Sequence, residues 1–352
     1  MSKIRVLIID DSALVREVLR RVLSQDPEID VVGSAVDPIQ AISKIKELKP
    51  HVITLDLEMP KMDGLTFLRK LMNVVPLPVI VISSKALEGS DATITALELG
   101  AVDFITKPAV GVGEGLATLQ GEITEKVKCA ATVNMRALYN TNRKRILPPS
   151  ENESISQRST IKNTDKIIAI GGSTGGTVAV RTIMQALPAN CPAILITLHM
   201  PAGFTKSYAE GLDKVCRMNV KEAEHGEQVR KGYAYVAPGG KHMLLAKKNN
   251  SFTIEITETP PVNHHRPSVD VTFQSVANTS GSNTIGVILT GMGSDGAVGL
   301  KTLHDRGAYT IAQDEATCTV FGMPKQAIAL GATDIVLPIQ KISNEIVQFL
   351  SQ

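Results

Sequence analysis

Short apolar runs separated by polar punctuation open the chain. Val6–Ile9 and Val79–Ile82 are unbroken aliphatic stretches and Val52–Leu55 is interrupted only by Thr54, and they read as strands buried on both faces. Ala101–Thr106 predicts another. Amphipathic segments lie between them. Ser12 stands in a helix N-cap position ahead of Leu14, Val15, Val18, Leu19, Val22 and Leu23, which share one 3.6-residue stripe. Leu116, Leu119, Ile123, Val127 and Ala130 keep the same register and predict a closing helix. Strands that alternate with helices imply a parallel sheet wound on both faces.

The alternation lapses between Tyr139 and Asp165. The stretch YNTNRKRILPPSENESISQRSTIKNTD has almost no apolar periodicity and is rich in Ser, Asn and charge, the composition of a mobile linker. Alternation resumes at Lys166. Ile167–Ile170 predicts a strand, followed by a glycine-rich turn and a helix carrying Val180, Ile183, Met184 and Leu187. Ala193–Leu198 predicts a strand that ends at His199. His242–Lys247 and Phe252–Thr257 alternate around Lys248–Ser251 and predict a hairpin. Thr284–Leu289 predicts a buried strand that runs into TGMGSDG, then a helix with Leu300 and Leu303. The expected fold is α/β in two domains. A flavodoxin-like domain covers 1–125, a helix end and linker 126–164, and a doubly wound, mostly parallel domain with a β-hairpin 165–352.

The bulk numbers narrow the function. At 352 residues, with 43% hydrophobic and 20% charged positions, the chain suits two soluble domains with full cores. A formal net charge of +2, no Trp and 3% aromatics speak against nucleic acid as partner. Basic NRKR at 142–145 reads as a solvated linker face. Cys129, Cys191, Cys216 and Cys318 form no CxxC pair and read as reduced thiols. Asp10 and Asp11 end the first apolar run too early for a signal peptide, and no run reaches the ~20 apolar residues that span a bilayer. A cytoplasmic protein without direct membrane insertion is expected. His264-His265-Arg266 invites metal or anion binding, but no second cluster has ligand spacing, so a substrate-groove or structural role is the better reading.

Asp10, Asp11 and Asp56 each follow an apolar strand. In an open parallel sheet the carboxyl ends of the strands gather at one edge, where ligands bind. Three carboxylates there repel unless a hard cation such as Mg²⁺ joins them. Ser83 follows the fourth strand, and Lys107 with Pro108 follows the last. A carboxylate, a metal, a hydroxyl and an ammonium together describe a phosphoryl-acceptor site, with Asp56 attacking phosphorus. Singly, Asp11 or Asp56 would be a helix cap or turn former. The stretches VLIIDDS, ITLDLEMPKMDG, VIVISS and DFITKP together resemble the response-regulator receiver family over roughly residues 1–125. That resemblance implies phosphorylation of Asp56 by a partner histidine kinase. Ser83 stands where many members of that family carry Thr.

In IIAIGGSTGG, Ser173 follows a strand in the pattern Gly171-x-Ser173-x-Gly175. A serine on a tight strand-to-helix turn is exposed, and backbone N–H groups at the helix start, that of Thr174 first, can hold an oxyanion. A phosphate-binding loop is the rival. It lacks the Lys-Ser/Thr of a P-loop, and Ser173 fills the second glycine slot of G-x-G-x-x-G, which disfavours a dinucleotide site without closing the question. A serine nucleophile needs a base and an orienting acid. His199 ends the next strand, and Asp295 lies in the glycine-rich loop after a later one, where Met292 can also aim an N–H at the oxyanion. Alone, His199 would be structural and Asp295 a turn residue; three such residues at three strand ends of one domain are far less readily coincidental. The order Ser, His, Asp differs from that of α/β-hydrolases.

IGGSTGG, HMPAGFT, AYVAPGGKHM, HHRPSVDVTF, ILTGMGSDG and AQDEATCTVFGMP, in that order over roughly 165–350, resemble the chemotaxis protein-glutamate methylesterases. Gly172, where Ala is common, is a small departure. The resemblance implies Ser173 as nucleophile, His199 as general base and acid and Asp295 as its orienting partner. It also implies methyl-ester hydrolysis, and often glutamine deamidation, on methyl-accepting chemoreceptor cytoplasmic helices, with no metal in this domain. A histidine kinase of the chemotaxis pathway is the partner implied for the first domain. The unphosphorylated first domain is expected to cover the Ser173 edge and to release it on Asp56 phosphorylation. Two other classes compete: a phosphorylation-controlled scaffold with an inactive hydrolase-like domain, and a DNA-binding response regulator. The output half lacks a helix-turn-helix pattern and a basic face.

Overall fold

Aliphatic runs without polar interruption cannot face water on either side, so they pair into sheets that helices cover on both faces. The computed structural model describes residues 3–59, 62–84, 91–107, 119–133, 135, 161, 165–249 and 251–352. Contacts divide the chain into two units, Met1–Lys144 and Arg145–Gln352. Leu116, Pro108, residues 142–145 and most of the predicted linker lie outside the described residues.

The first unit is a five-stranded sheet of β1 (Ile4–Ile9), β2 (Ile29–Ala35), β3 (Val52–Asp56), β4 (Val79–Ser84) and β5 (Asp103–Lys107). The order is β2-β1-β3-β4-β5, all parallel, which is the flavodoxin-like order. The helices are α1 (Ala13–Ser24), α2 (Pro38–Leu48), α3 (Gly64–Val74), α4 (Asp91–Leu99) and α5 (Gln120–Ala131). Ser12 caps α1 by accepting from the Val15 N–H at 3.4 Å, and Asp37 and Asp63 cap α2 and α3 in the same manner. Val15, Val18, Leu19, Val22 and Leu23 are buried on the sheet, each contributing about 1.5–3 kcal/mol relative to exposure. Leu14, which the sequence placed on that stripe, is 58% exposed. It sits one residue from the helix start, at the margin of the apolar arc. The strand expected at 101–106 starts two residues later and includes Lys107, and Ser83 lies inside β4 rather than after it.

The second unit holds a seven-stranded, wholly parallel sheet: β6 (Ile167–Gly172), β7 (Ala193–Leu198), β8 (Asn219–Glu222), β9 (Tyr233–Val236), β12 (Thr284–Ile288), β13 (Tyr309–Gln313) and β14 (Ile335–Leu337). Its order is β14-β13-β12-β6-β7-β9-β8. The strand order reverses direction between β6 and β12, and ligands bind at such a switch point. The helices are α6 (Gly176–Ala186), α7 (Phe204–Asp213), α8 (Val269–Thr279), α9 (Ala297–Asp305), α10 (Met323–Ala329) and α11 (Ile339–Ser351). Leu187, predicted within α6, is buried but extended just past its end. It precedes Pro188, which disfavours a helical residue before it.

The predicted hairpin is β10 (His242–Lys248) with β11 (Ser251–Thr257), antiparallel. It braces α8: Thr272 donates to the Met243 carbonyl at 2.9 Å, and the Leu245 N–H donates to Ser275 at 2.9 Å. Met243, Leu245, Ile254, Phe273, Val276, Leu300 and Leu303 form one buried cluster. The start of α8 is therefore fixed in place, and the site depends on it.

Candidate active site

Ser173 follows β6, His199 follows β7, and Asp295 follows β12, so neighbouring strands deliver all three to one sheet edge. Ser173 Oγ lies 3.1 Å from His199 Nδ1, and His199 Nε2 lies 2.8 Å from Asp295 Oδ2. In this pairing the hydroxyl donates to Nδ1, and Nε2–H donates to the carboxylate. The His199 side chain is 7% exposed and that of Asp295 is 1% exposed. A ring held between a hydroxyl and a carboxylate can take a proton from one while the other steadies the resulting charge.

The turn around Ser173 is tight. The Gly176 N–H reaches the Ser173 carbonyl at 2.6 Å, and the Ser173 N–H donates to the Thr290 carbonyl at 3.0 Å. Gly175 has φ +79, and a Cβ there would meet Thr319 Oγ1 at 2.4 Å, so both conformation and space require glycine. Thr290 ties the turn to the loop after β12. Its hydroxyl donates to the Thr174 carbonyl at 3.0 Å and accepts from the Val320 N–H at 2.9 Å. The buried Gln313 side chain accepts the Thr290 N–H at 2.9 Å. Thr174 is buried and Met292 half-buried, the latter between Gly291 and Gly293.

Asp295 lies at the start of α8. Its Oδ1 accepts from Ser268 Oγ at 2.7 Å and Asn263 Nδ2 at 2.8 Å, and its Oδ2 accepts from the Val269 N–H at 2.6 Å. A helix N-terminus favours an anion. Burial works against ionisation here, but the hydrogen bond and charge of His199, then Asn263 and Ser268, outweigh it and hold the carboxyl at about 2. His265 stacks on His199 with ring centroids 3.6 Å apart. The sequence reading missed Asn263, Gln313 and Thr290, and left His265 between groove and structure.

In the first unit Asp10 follows β1, and Asp56 and Lys107 end β3 and β5. Lys107 Nζ lies 2.7 Å from Asp56 Oδ2 and 2.8 Å from Asp10 Oδ2. Burial raises the Asp56 carboxyl to about 6, against the pull of Lys107 and with the push of Asp10. Lys107 is held above its ordinary value: burial opposes its charge, but Asp10 and Asp56 outweigh it. Asp10, Asp11 and Asp56 each offer an oxygen within 4.8 Å of the others. The buried Asp10 Oδ2 meets Lys107 as an ion pair without completing a hydrogen bond. Three hard oxygen donors around one point fit a divalent cation such as Mg²⁺. Ser83 Oγ is buried, 3.1 Å from the Thr93 hydroxyl.

Cys129, Cys191, Cys216 and Cys318 form no disulfide. Among the described residues no helix is long and apolar enough to cross a membrane.

The model of the CheB methylesterase family matches residues 168–346, and that of the response regulator receiver domain matches 6–114. A protein-glutamate methylesterase/protein-glutamine glutaminase of Pectobacterium atrosepticum is 49% identical over 351 residues, covering 100% of this chain and 98% of its own. One of the same name from Nitrosomonas europaea is 50% identical, covering 98% and 96%. The crystal structure of the Thermotoga maritima CheB methylesterase catalytic domain is similar with TM-score 0.51 and 44% identity, over 52% of this chain and 98% of that one.

Proposed function

Because the chain belongs to the CheB methylesterase family and carries a response regulator receiver domain ahead of the catalytic one, we propose that it hydrolyses protein glutamate methyl esters, and deamidates protein glutamines, at Ser173. The observation that carries this is the hydrogen-bonded line from Ser173 through His199 to Asp295. His199 Nδ1 takes the Ser173 proton as Oγ attacks the glutamyl carbonyl. Asp295 steadies the imidazolium, and the proton passes to departing methanol, or to ammonia from glutamine. Water, deprotonated by the same imidazole, then releases glutamate from the acyl-enzyme and regenerates Ser173.

The Ser173 N–H donates to the Thr290 carbonyl, and the N–H groups of Thr174 and Met292 serve as the oxyanion donors. Such a donor contributes on the order of 10²–10³ in rate. The complete triad gives an inactive scaffold no support.

In the receiver, Asp56 accepts a phosphoryl group from a kinase, the histidine kinase of the chemotaxis pathway. Lys107 and Ser83 face the oxygens of that group. Asp10, Asp11 and Asp56 would hold Mg²⁺, which neutralises charge on the phosphoryl group when bound. The substrates are the cytoplasmic helices of methyl-accepting chemoreceptors, and the enzyme works in the cytoplasm. The unphosphorylated receiver restrains the hydrolysis, a reading motivated by a phosphoacceptor joined to an enzyme in one chain.

The test is methanol release from methylated receptor cytoplasmic fragments, by wild type and by Ser173→Ala, each with and without a small-molecule phosphodonor and Mg²⁺. Release by wild type alone, rising with the donor, is expected. Release that persists in Ser173→Ala removes that serine from the mechanism. Unchanged or lower release after deletion of residues 1–139 rules out restraint by the receiver.

A further inference from the structure

Residues 262–265 form a tight turn over the triad. Val262 and His265 exchange backbone hydrogen bonds at 3.1 and 2.9 Å. Asn263 and His264 between them have φ 53 and 67, the pair of left-handed residues that a type I′ turn requires. Asn tolerates that conformation better than most residues. The turn touches two triad members: His265 stacks on His199, and Asn263 reaches Asp295.

Although Asn263 is exposed as a residue, both hydrogens of its amide meet buried carboxylates. Nδ2 lies 2.7 Å from Asp270 Oδ2 and 2.8 Å from Asp295 Oδ1. Two carboxylates that share one donor repel each other, and neither ionises freely without it. Asp270 already has its carboxyl above the ordinary range, by burial first and then by the Asp295 charge, despite the Gly299 N–H at 2.6 Å.

We infer that Asn263 is a positioning residue of the hydrolysis: its amide bridges Asp270 and Asp295, neutralising their mutual repulsion and keeping the Asp295 carboxylate on His199. The inference rests on the assignment of Ser173, His199 and Asp295 as the reacting line. The charged and titratable groups that face Asp295 are His199 from the loop after β7, His265 across the imidazole, and Asp270 from the first turn of α8. Arg266 is turned away onto the Glu258 and Thr259 carbonyls. Without the bridge, the carboxylate pair takes up a proton more readily, which moves the loss of activity in acid to higher pH.

The experiment compares full-length wild type, Asn263→Gly, Asp270→Asn and the double variant across pH. It reads methanol release from methylated receptor fragments and fluorophosphonate labelling of Ser173. Glycine suits the left-handed turn, so Asn263→Gly removes the amide without backbone strain. If the glycine variant melts early, Asn263→Asp, which keeps the shape but sets a third carboxylate against the pair, should move the limb at least as far in the wild-type background; only the glycine variant enters the double comparison. Expected for Asn263→Gly is a kcat lower by about tenfold with KM little changed, and an acid limb displaced upward by about half a pH unit. In the Asp270→Asn background the like charge is gone, so the same substitution should shift the limb little. An unmoved or downward limb, or an equal shift in both backgrounds, overturns the inference. Wild type that fails to label at Ser173 overturns instead the assignment beneath it.

Discussion

The His265 ring lies flat against that of His199, with centroids 3.6 Å apart and planes 14° from parallel. The stack fixes the plane in which Nδ1 points at Ser173 and Nε2 at Asp295. Aromatic pairs contribute about 0.5–1.5 kcal/mol beyond buried area. If stacking is what His265 supplies, His265→Phe keeps most of the kcat, whereas His265→Ala lowers it by up to about tenfold. Steady-state methanol release by the two variants makes the comparison. Equal losses would mean that the His265 nitrogens matter rather than its plane.

Asp295→Asn removes the anion opposite Nε2 and lets the amide donate to Nε2, which leaves the ring proton on Nδ1, where the Ser173 hydroxyl needs an acceptor. The loss in kcat should be on the order of 10³–10⁴. The substitution also has a pH signature in stability. Because the folded carboxyl titrates at about 2 against an ordinary 3.8, its contribution is fully present above about pH 4 and disappears as the pH falls through 2. It amounts to about 2 kcal/mol. Urea unfolding of wild type and Asp295→Asn at pH 6 and at pH 2 should show a gap that closes in acid.

A Cβ at Gly291 would sit 2.3 Å from Met323 Sδ and 2.8 Å from Ser173 Cβ. Gly291→Ala must displace the flexible Met323 or the nucleophile. Because Gly291 is also tied to Val320 through its N–H, the nucleophile gives way in part. A kcat loss above about tenfold is expected, with destabilisation of about 1–3 kcal/mol. Labelling rates and thermal melts measure the two effects separately.

Mg²⁺ that binds only the folded receiver should stabilise it by about 2.7 kcal/mol at a hundredfold excess over its Kd. Melting with and without the ion reads this directly. Asp10→Asn should abolish the rise, and chelation should stop phosphorylation of Asp56 by small-molecule donors. A Tm rise that survives Asp10→Asn would place the ion elsewhere.

Much of this architecture was legible because central parallel strands are runs of aliphatic and β-branched residues. Val6–Ile9, Val52–Leu55, Ile167–Ile170 and Ala193–Leu198 could hardly be anything else. The edge strand β5 was visible, but β2, β8 and β14 at sheet edges, and β9 and β13 inside the second sheet, were not. β8 has one buried residue, β14 is three residues long, and β2 has Asp30 and Ser34 among its apolar residues, so none of these three shows a long apolar run. Leu14 misled because periodicity gives an arc but not its width. At the site, Ser173, His199 and Asp295 were readable from motifs next to strand ends. Asn263, Thr290 and Gln313 were not: a neutral side chain that holds a distant partner leaves no local pattern. Only the topology brings Gln313 of β13 to the Thr290 N–H.

The switch point between β6 and β12 also sets a clock. Thr290 lies 116 residues beyond the Thr174 whose carbonyl it holds, and at about 5–20 residues per second that separation takes roughly ten seconds to synthesise. α11, packed on α6 behind the nucleophile, comes later still. While the chain is being made, Ser173 emerges long before its acid partner and its loop anchor. The growing polypeptide therefore carries a serine without its partners until Thr290 and Asp295 have followed it.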